Sequence, residues 1–416
     1  MKTHTSAITR LTRRSLLGLI ALSGASVLGA QNPPSAPVTA DSARRPVQEG
    51  IFNRPVVGSL DRTAIGGYLE ANSNYAVTDG VGEGFGMEFR RFNIFLFSSV
   101  GRRLRFISEL EFEHGTEEIA LETALVDVRI NPSFVVRAGI ILPPVGAFNV
   151  NHDSPRWNFI DRPIVSTEII PATLSEVGFG VYGRLEPRGA LAGVGLTYDI
   201  YATNGLGDGV ILNPSGRTRL GDGKHEEQFG EDNNGSPAFS GRFAAHHERL
   251  GELGVSFYTG IFNSFQIEGE EVEPRRRVTL IALDGQSQVG PVELRSELAM
   301  ASINIPDDLR ELFGHRQIGG HLDASWPFWS PRLRAFPEGR MSADLRLEYA
   351  DFNVGSFSST GRRIGDEIVS VVIGASYRPV SGTVFKLNYR RARTHDLLRN
   401  PAAASAAIQV GFATYF

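Results

Sequence analysis

The chain of 416 residues contains no cysteine, which excludes disulfides, thiolate metal sites and cysteine nucleophiles. Lysine is nearly missing: Lys2, Lys224 and Lys386 are the only three, so almost every basic residue is arginine. There is no basic tract and the formal net charge is −4, which argues against nucleic acid as a partner. Past the N-terminus no uninterrupted apolar run reaches transmembrane-helix length. That rules out a helical inner-membrane transporter, but not a barrel, whose strands are only half apolar. No G-x-S-x-G elbow, EF-hand spacing or strand–loop–helix phosphate motif occurs, so no cofactor or metal is expected. His246 and His247 are adjacent in a strand, point to opposite faces and cannot chelate one ion. The acids of the stretch 208–232 read as a solvated loop.

The N-terminus carries Lys2, Arg10, Arg13 and Arg14, then a short apolar run at residues 16–22 and small residues around Gly29 and Ala30. This is the pattern of a signal peptide over residues 1–30. Its removal takes away four basic residues and no acid, moving the net charge from −4 to −8. Residues 31–60 are rich in Pro, Ala and polar residues, too short and polar to hold a core, and read as a periplasmic linker.

From residue 61 on, period-2 alternation dominates. Leu345, Leu347 and Tyr349 alternate with Asp344, Arg346 and Glu348. Phe385, Leu387 and Tyr389 alternate with Lys386, Asn388 and Arg390. Leu104, Phe106, Leu110 and Phe112 stand against Arg103, Arg105, Glu109 and Glu111. Val292, Leu294, Leu298 and Met300 stand against Glu293, Arg295 and Glu297. About sixteen such stretches begin near Ala64, Gly86, Arg102, Ile119, Ser133, Ser175, Ala190, Pro237, Leu250, Arg275, Val289, His315, Met341, Asp366, Gly382 and Ser405. No thick apolar strands or helices are available to cover so many apolar faces. A closed transmembrane barrel solves this with lipid outside and water inside. The predicted fold is therefore an all-β antiparallel transmembrane barrel over residues 61–416, in the bacterial outer membrane among lipid and lipopolysaccharide.

Loop lengths give an independent check. Turn-length connections at 100–101, 131–132, 187–189, 247–250, 285–288 and 379–381 alternate with longer ones, above all 142–174 and 203–236. The parity is that of short periplasmic turns and long outside loops. The connection 326–340 is too long for a simple turn, and its Trp326, Phe328 and Trp329 suit an interfacial aromatic girdle. Glycine clusters at 80–86 and 204–209 read as turns, and residues 307–313 as a short helix in an outside loop. The last strand alternates Ile408, Val410, Phe412 and Phe416 against Gln409, Gly411, Ala413 and Tyr415. It ends on an aromatic, similar to the signature by which barrel-assembly machinery recognises its clients.

The block from Arg137 to Phe148 (RAGIILPPVGAF), followed by FIDRP at 159–163, EVGFG at 176–180 and RLEYADFN at 346–353, resembles the phosphate-selective porin O/P family. The resemblance covers most of the chain after Ala64. It implies a sixteen-stranded homotrimeric channel for small, often anionic solutes, narrowed by an inward-folding loop. That loop is residues 142–174 here, with His152, Asp153, Arg156, Asp161, Arg162 and Glu168 as its polar candidates. Asp161 and Arg162 would equally serve to pair and fix the loop to the wall.

Strong phosphate selectivity needs concentrated positive charge. Here Arg103, Arg105, Arg129 and Arg137, predicted to face the lumen, share it with Glu109, Glu111 and Asp127. Together with Arg156, Asp161 and Arg162 they form the expected pore-lining set. Opposed rows of arginine and carboxylate suit passive diffusion of small polar solutes, with a mild preference for anions such as phosphate. A barrel enzyme of lipase or protease type and a non-conducting adhesin are the rival readings.

Overall fold

The computed structural model describes residues 46–416, apart from 57, 61, 190–192, 225–228, 231, 233 and 332. The expected signal peptide, the linker up to residue 45, and Glu226, Glu227 and Glu231 of the acidic loop lie outside the described residues.

Sixteen antiparallel strands close into a barrel. They are β1 (Thr63–Thr78), β2 (Val81–Val100), β3 (Leu104–Glu113), β4 (Glu118–Asn131), β5 (Phe134–Ile141), β6 (Glu176–Leu185), β7 (Val194–Thr203) and β8 (Ala238–His247). The circuit continues with β9 (Gly251–Ile261), β10 (Arg277–Val289), β11 (Val292–Ile303), β12 (Arg316–Trp329), β13 (Arg340–Asp351), β14 (Glu367–Arg378), β15 (Thr383–Thr394) and β16 (Ala403–Tyr415). Each strand pairs with its sequence neighbours, and β16 pairs with β1 from Ser405↔Thr78 to Tyr415↔Tyr68, so no sheet edge is left. Closure satisfies the ladder all round, the condition for a sheet in lipid.

The alternation read from the sequence is the in–out alternation of the wall. Leu345, Leu347, Phe385, Leu387, Ile408 and Val410 are exposed on the outside. Their neighbours Asp344, Arg346, Lys386 and Gln409 are buried within. Trp326, Phe328 and Trp329 are exposed at the turn end of β12, where a girdle belongs. Phe416 closes the ring: its backbone exchanges hydrogen bonds with Gly67 and its ring stacks on Phe92 at 5.4 Å. Both barrel termini thus lie at the short-turn end, the periplasmic end in this class.

Four local expectations change. The polar run 285–288 is not a turn: β10 continues to Val289, paired with Val292, and the turn is Gly290-Pro291. Residues 81–86 are strand, with only Asp79-Gly80 turning, both at positive φ as a two-residue hairpin requires. The connection after β12 is shorter than expected, because the strand runs on to Trp329 past a register shift at Pro327, which has no N–H for the ladder. In the loop after β11, the expected helix is a 3-10 turn at Asp307–Leu309.

Of the segment read as a linker, the described part does not stay outside. Gly58–Leu60 forms a short strand on β1. Val47, Gly50, Ile51 and Arg54, just before it, are buried.

Candidate functional site: a lumen filled by loop and strap

The long connection between β5 and β6, residues 142–175, enters the barrel and binds the wall nearly all round. Gly146 has φ +69 and a Cβ there would lie 2.3 Å from Glu297 Oε2, so only glycine allows this approach. Glu297 accepts from the Phe148 N–H (3.1 Å) and the Ser166 hydroxyl (2.7 Å). Lys386 on β15 donates to Ser154 O, Ser154 Oγ and Phe159 O at 2.9–3.1 Å. Asn388 accepts from the Ile160 N–H, and Glu348 from the Ile164 N–H. Arg346, clamped bidentately on Asp323, donates to Asp161 O at 2.7 Å. Wall side chains thus serve as partners for a loop that has no ladder of its own, as buried backbone groups require.

The predicted residues divide into three groups. Arg105, Asp127 and Arg137 come together: Asp127 takes Arg137 at 2.8 and 3.1 Å, Arg105 at 3.2 Å and the Tyr182 hydroxyl at 2.7 Å. Glu109 and Glu111 face inward as expected, joined by Asn93 Nδ2 at 2.7 and 2.9 Å. Arg156 and Asp161 sit on the loop in contact with the wall. Arg156 donates to the Tyr415 hydroxyl (2.9 Å), and Asp161 accepts from Arg390 (3.1 Å) and Gln409 (2.8 Å). Arg162 is not the partner of Asp161; it donates to Thr173 Oγ1 within the loop. Arg103 lies in the exposed turn before β3 and Arg129 is exposed near the turn end of β4, so both stand at the mouth.

A second segment fills the lumen. Pro46–Pro55 crosses the turn end as a strap between the loop and strands β2–β9. The Val47 N–H donates to Glu252, and Gln48 donates to Asp199. Ile51 packs with Ile107, Leu125, Ile141 and Tyr201, while Phe52 stacks on Tyr182 beneath the Arg105 guanidinium. Arg54 bridges wall and loop, at 2.7 Å from Glu109 and 2.6 Å from Asp153. Burial alone would raise the Asp153 carboxyl, but Arg54, Arg156 and His152 hold it well below the usual carboxylate range. Burial opposes charge on His152, yet Glu122 at 3.2 Å carries that imidazole above its ordinary value.

Glu109, His152 and Asp153 offer ligand atoms within 4.8 Å of one another, as a metal would need. Arg54 already binds both carboxylates, and His152 uses its ring nitrogens on Glu122 and Asn149 O. The cluster is neutralised from within and does not require an ion.

The lumen also differs from a simple water-filled bore. Ile164, Val165, Ile169 and Ile170 of the first loop meet Leu206, Val210 and Leu220 of the loop between β7 and β8. Inward-facing Tyr258, Val278, Leu280, Ala301 and Ile303 complete this apolar core. A cavity of about 190 Å³ remains on the other side of the loop, towards the turn end of β10–β14. Arg156, Arg295, Arg340 and Arg378 line it, with Glu293, Glu297 and Asp323. Arg54, Lys386, Glu297, Arg340 and Arg378 were not among the predicted site residues; alternation marked Lys386 and Glu297 only as members of a polar face.

A closed barrel with an apolar outside, short turns at one end and an infolded loop defines a bacterial outer-membrane β-barrel. No protein-family model matches the chain. An uncharacterized protein of Aquifex aeolicus (strain VF5) is 35% identical over 127 residues, 29% of this chain and 27% of that protein. The matched stretch thus spans about a quarter of that relative's length. Among solved structures, OprB of Pseudomonas putida at high pH superposes with TM-score 0.52 at 7% identity, over 85% of this chain and 94% of that one. The outer membrane channel DcaP of Acinetobacter baumannii gives 0.50 at 9% identity, over 87% and 99%. OmpT of Vibrio cholerae, an outer membrane protein, gives 0.51 at 10% identity, over 87% and 99%. At these identities the likeness is one of fold.

Proposed function

We propose that the protein is a non-enzymatic outer-membrane channel for passive diffusion of small polar solutes, with a mild preference for anions. The observation that carries this reading is the charge balance of the 190 Å³ cavity. Its acids are already engaged: Asp323 by Arg346, Glu297 by Ser166 and Phe148, and Glu293 by Arg295. Two of its arginines are not. Arg340 and Arg378 are direct cross-strand partners on β13 and β14, a like-charge placement that costs stability unless an anion serves it. Among the described residues neither has a carboxylate within ion-pair distance; Arg378 donates to Pro155 O and to Asn158 Oδ1. His321, also on the cavity, has a buried Nδ1 without a partner.

Many of the other lumenal arginines are paired with carboxylates on the spot, among them Arg54, Arg105, Arg137, Arg242 and Arg346, which supports weak selectivity over strong phosphate capture. The fold likeness to a named channel supports conduction, and a neighbour crystallised in trimer form supports a homotrimer. Export by a signal peptide and insertion by barrel-assembly machinery belong to the same reading. Reversal potentials in planar bilayers test it. The wild-type channel should favour chloride over potassium modestly, and R340Q/R378Q should abolish or invert that preference. Strong exclusion of cations, or selectivity unmoved by the double variant, would refute it. Liposomes that do not swell with small sugars or phosphate would favour the adhesin, and ester or peptide hydrolysis the enzyme.

A further inference from the structure

The strap is not needed to close the barrel. All sixteen strands complete their ladder without Pro46–Pro55, and only Gly58–Leu60, beyond the strap, joins the sheet. What holds the strap is a short series of side-chain contacts, most of them polar. It is joined to the infolded loop by Arg54–Asp153, by Arg156 Nη2 donating to Gly50 O (2.7 Å), and by Asn151 Nδ2 donating to Val47 O (3.2 Å). It is joined to the wall by Arg54–Glu109, Gln48–Asp199 and Val47–Glu252. Its apolar anchors are Val47, Ile51 and Phe52.

Beneath the strap lie the charged wall groups that a mixed-charge pore would present to water. Arg105 is stacked on Phe52 at 4.1 Å, Glu109 is held by Arg54, and Arg137 and Asp127 lie beside them. With the strap seated, a void of about 20 Å³ is left here, between Val47, Gln48 and Ile51 of the strap and Leu125, Arg137, Asp199 and Tyr201 of the wall. The larger cavity already described borders the other side of the strap, where Pro46, Val47, Gly50 and Asn53 line it.

We propose that Pro46–Pro55 is a removable plug, and that its withdrawal opens a second conduit lined by Arg105, Glu109, Asp127 and Arg137. Arg54 is its latch, because among the described strap residues its side chain is the one that pairs with a carboxylate of the wall and a carboxylate of the infolded loop at once. Removing it takes from Glu109 its ion-pair partner and leaves Asp153 with Arg156 at 3.5 Å, which favours entry of water and counter-ions. Strands and infolded loop keep their other contacts, so opening does not require the barrel to unfold. The proposal rests on the channel reading for its conductance arm only.

The absence of cysteine permits a direct test. Ile51→Cys supplies a single thiol, read by labelling with a small charged thiol reagent in the full-length protein. The reagent should label it slowly in the otherwise native chain and many-fold faster in the R54E background. In planar bilayers, R54E and a deletion of residues 46–56 should each raise unitary conductance several-fold, with R54K, which keeps the charge but not the three-nitrogen grip, between them and the native value. Heat-modifiable migration on gels confirms that each barrel is assembled. Should the deletion fail to assemble, R54E and the labelling rate decide the matter. Fast labelling in the native background, or an R54E barrel that is assembled but unchanged in both readouts, overturns the plug. If no variant conducts yet R54E exposes the thiol, the latch stands and the channel reading falls.

Discussion

His152 is buried on the infolded loop with both ring nitrogens engaged, on Asn149 O at 2.9 Å and on Glu122 at 3.2 Å. Two donors are needed to serve two acceptors, so the imidazole is protonated there. Burial opposes that charge, and Arg162 opposes it further, but Glu122 and then Glu109 outweigh both. A histidine raised above its unfolded value of about 6.5 stabilises fully below that pH and loses the contribution as pH rises through the folded value. Asp153, depressed by Arg54 after the opposing effect of burial, behaves in reverse. Its contribution is present above about 3.9 and lost on acidification. Loop docking should therefore be tightest between these limits. Limited proteolysis within residues 142–174 across pH should show protection lost on both the alkaline and the acid side. H152Q should remove the alkaline limb and leave the acid one. An alkaline limb that survives in H152Q would assign it to another group.

At the scale of elements, strands and loop differed in how far they could be read in advance. The strands were legible because lipid and lumen impose opposite polarity on alternate residues, and Leu345 to Tyr349 or Phe385 to Tyr389 record that directly. The infolding of residues 142–174 was legible through the family resemblance alone, since the loop's length and apolar content say only that it packs as a unit. The strap was not legible. A polar, Pro-containing segment looks the same whether water or a polar lumen wall surrounds it, so Arg54 carried no mark of its two carboxylate partners. Residues 285–288 misled for a related reason, since inward-facing Gln286 and Gln288 in a lumen resemble the polar residues of a turn. Lys386 shows how much the loop depends on single wall residues, because one ammonium satisfies three oxygens. K386M removes the donor and leaves buried acceptors, at about 1–3 kcal/mol for each left unpaired. The expected result is an assembled, heat-modifiable barrel whose loop is cleaved at protease levels that spare the native protein. Unchanged cleavage would mean that the loop is held without it.

On the scale of the whole molecule, the protein has two apolar regions with different solvents. The outer belt, including Leu387, Ile408 and Val410, is matched to lipid, and the lumenal core around Ile169 and Val278 is matched only to itself. The belt depends on the closed ladder, whereas the lumenal core depends on two loops that take no part in that ladder. Such regions can open separately, with free energies below that of global unfolding. I169D places a carboxylate at a fully buried position in the apolar cluster that also holds Val165, Leu206, Val278 and Leu280. An unpaired charge there is expelled more cheaply by undocking the loops than by breaking strands that lipid still supports. The variant should keep its strand circular dichroism and heat-modifiable mobility while both loops become protease-sensitive at denaturant levels the native protein resists. L387R, one residue from Lys386 but on the lipid face, should do the opposite. It should destabilise insertion by about 2–4 kcal/mol if near the bilayer midplane, with the loops still protected in whatever fraction folds. If I169D instead lowers the denaturant midpoint of the barrel itself, wall and lumenal core form one cooperative unit, and the plug must open against the stability of the whole.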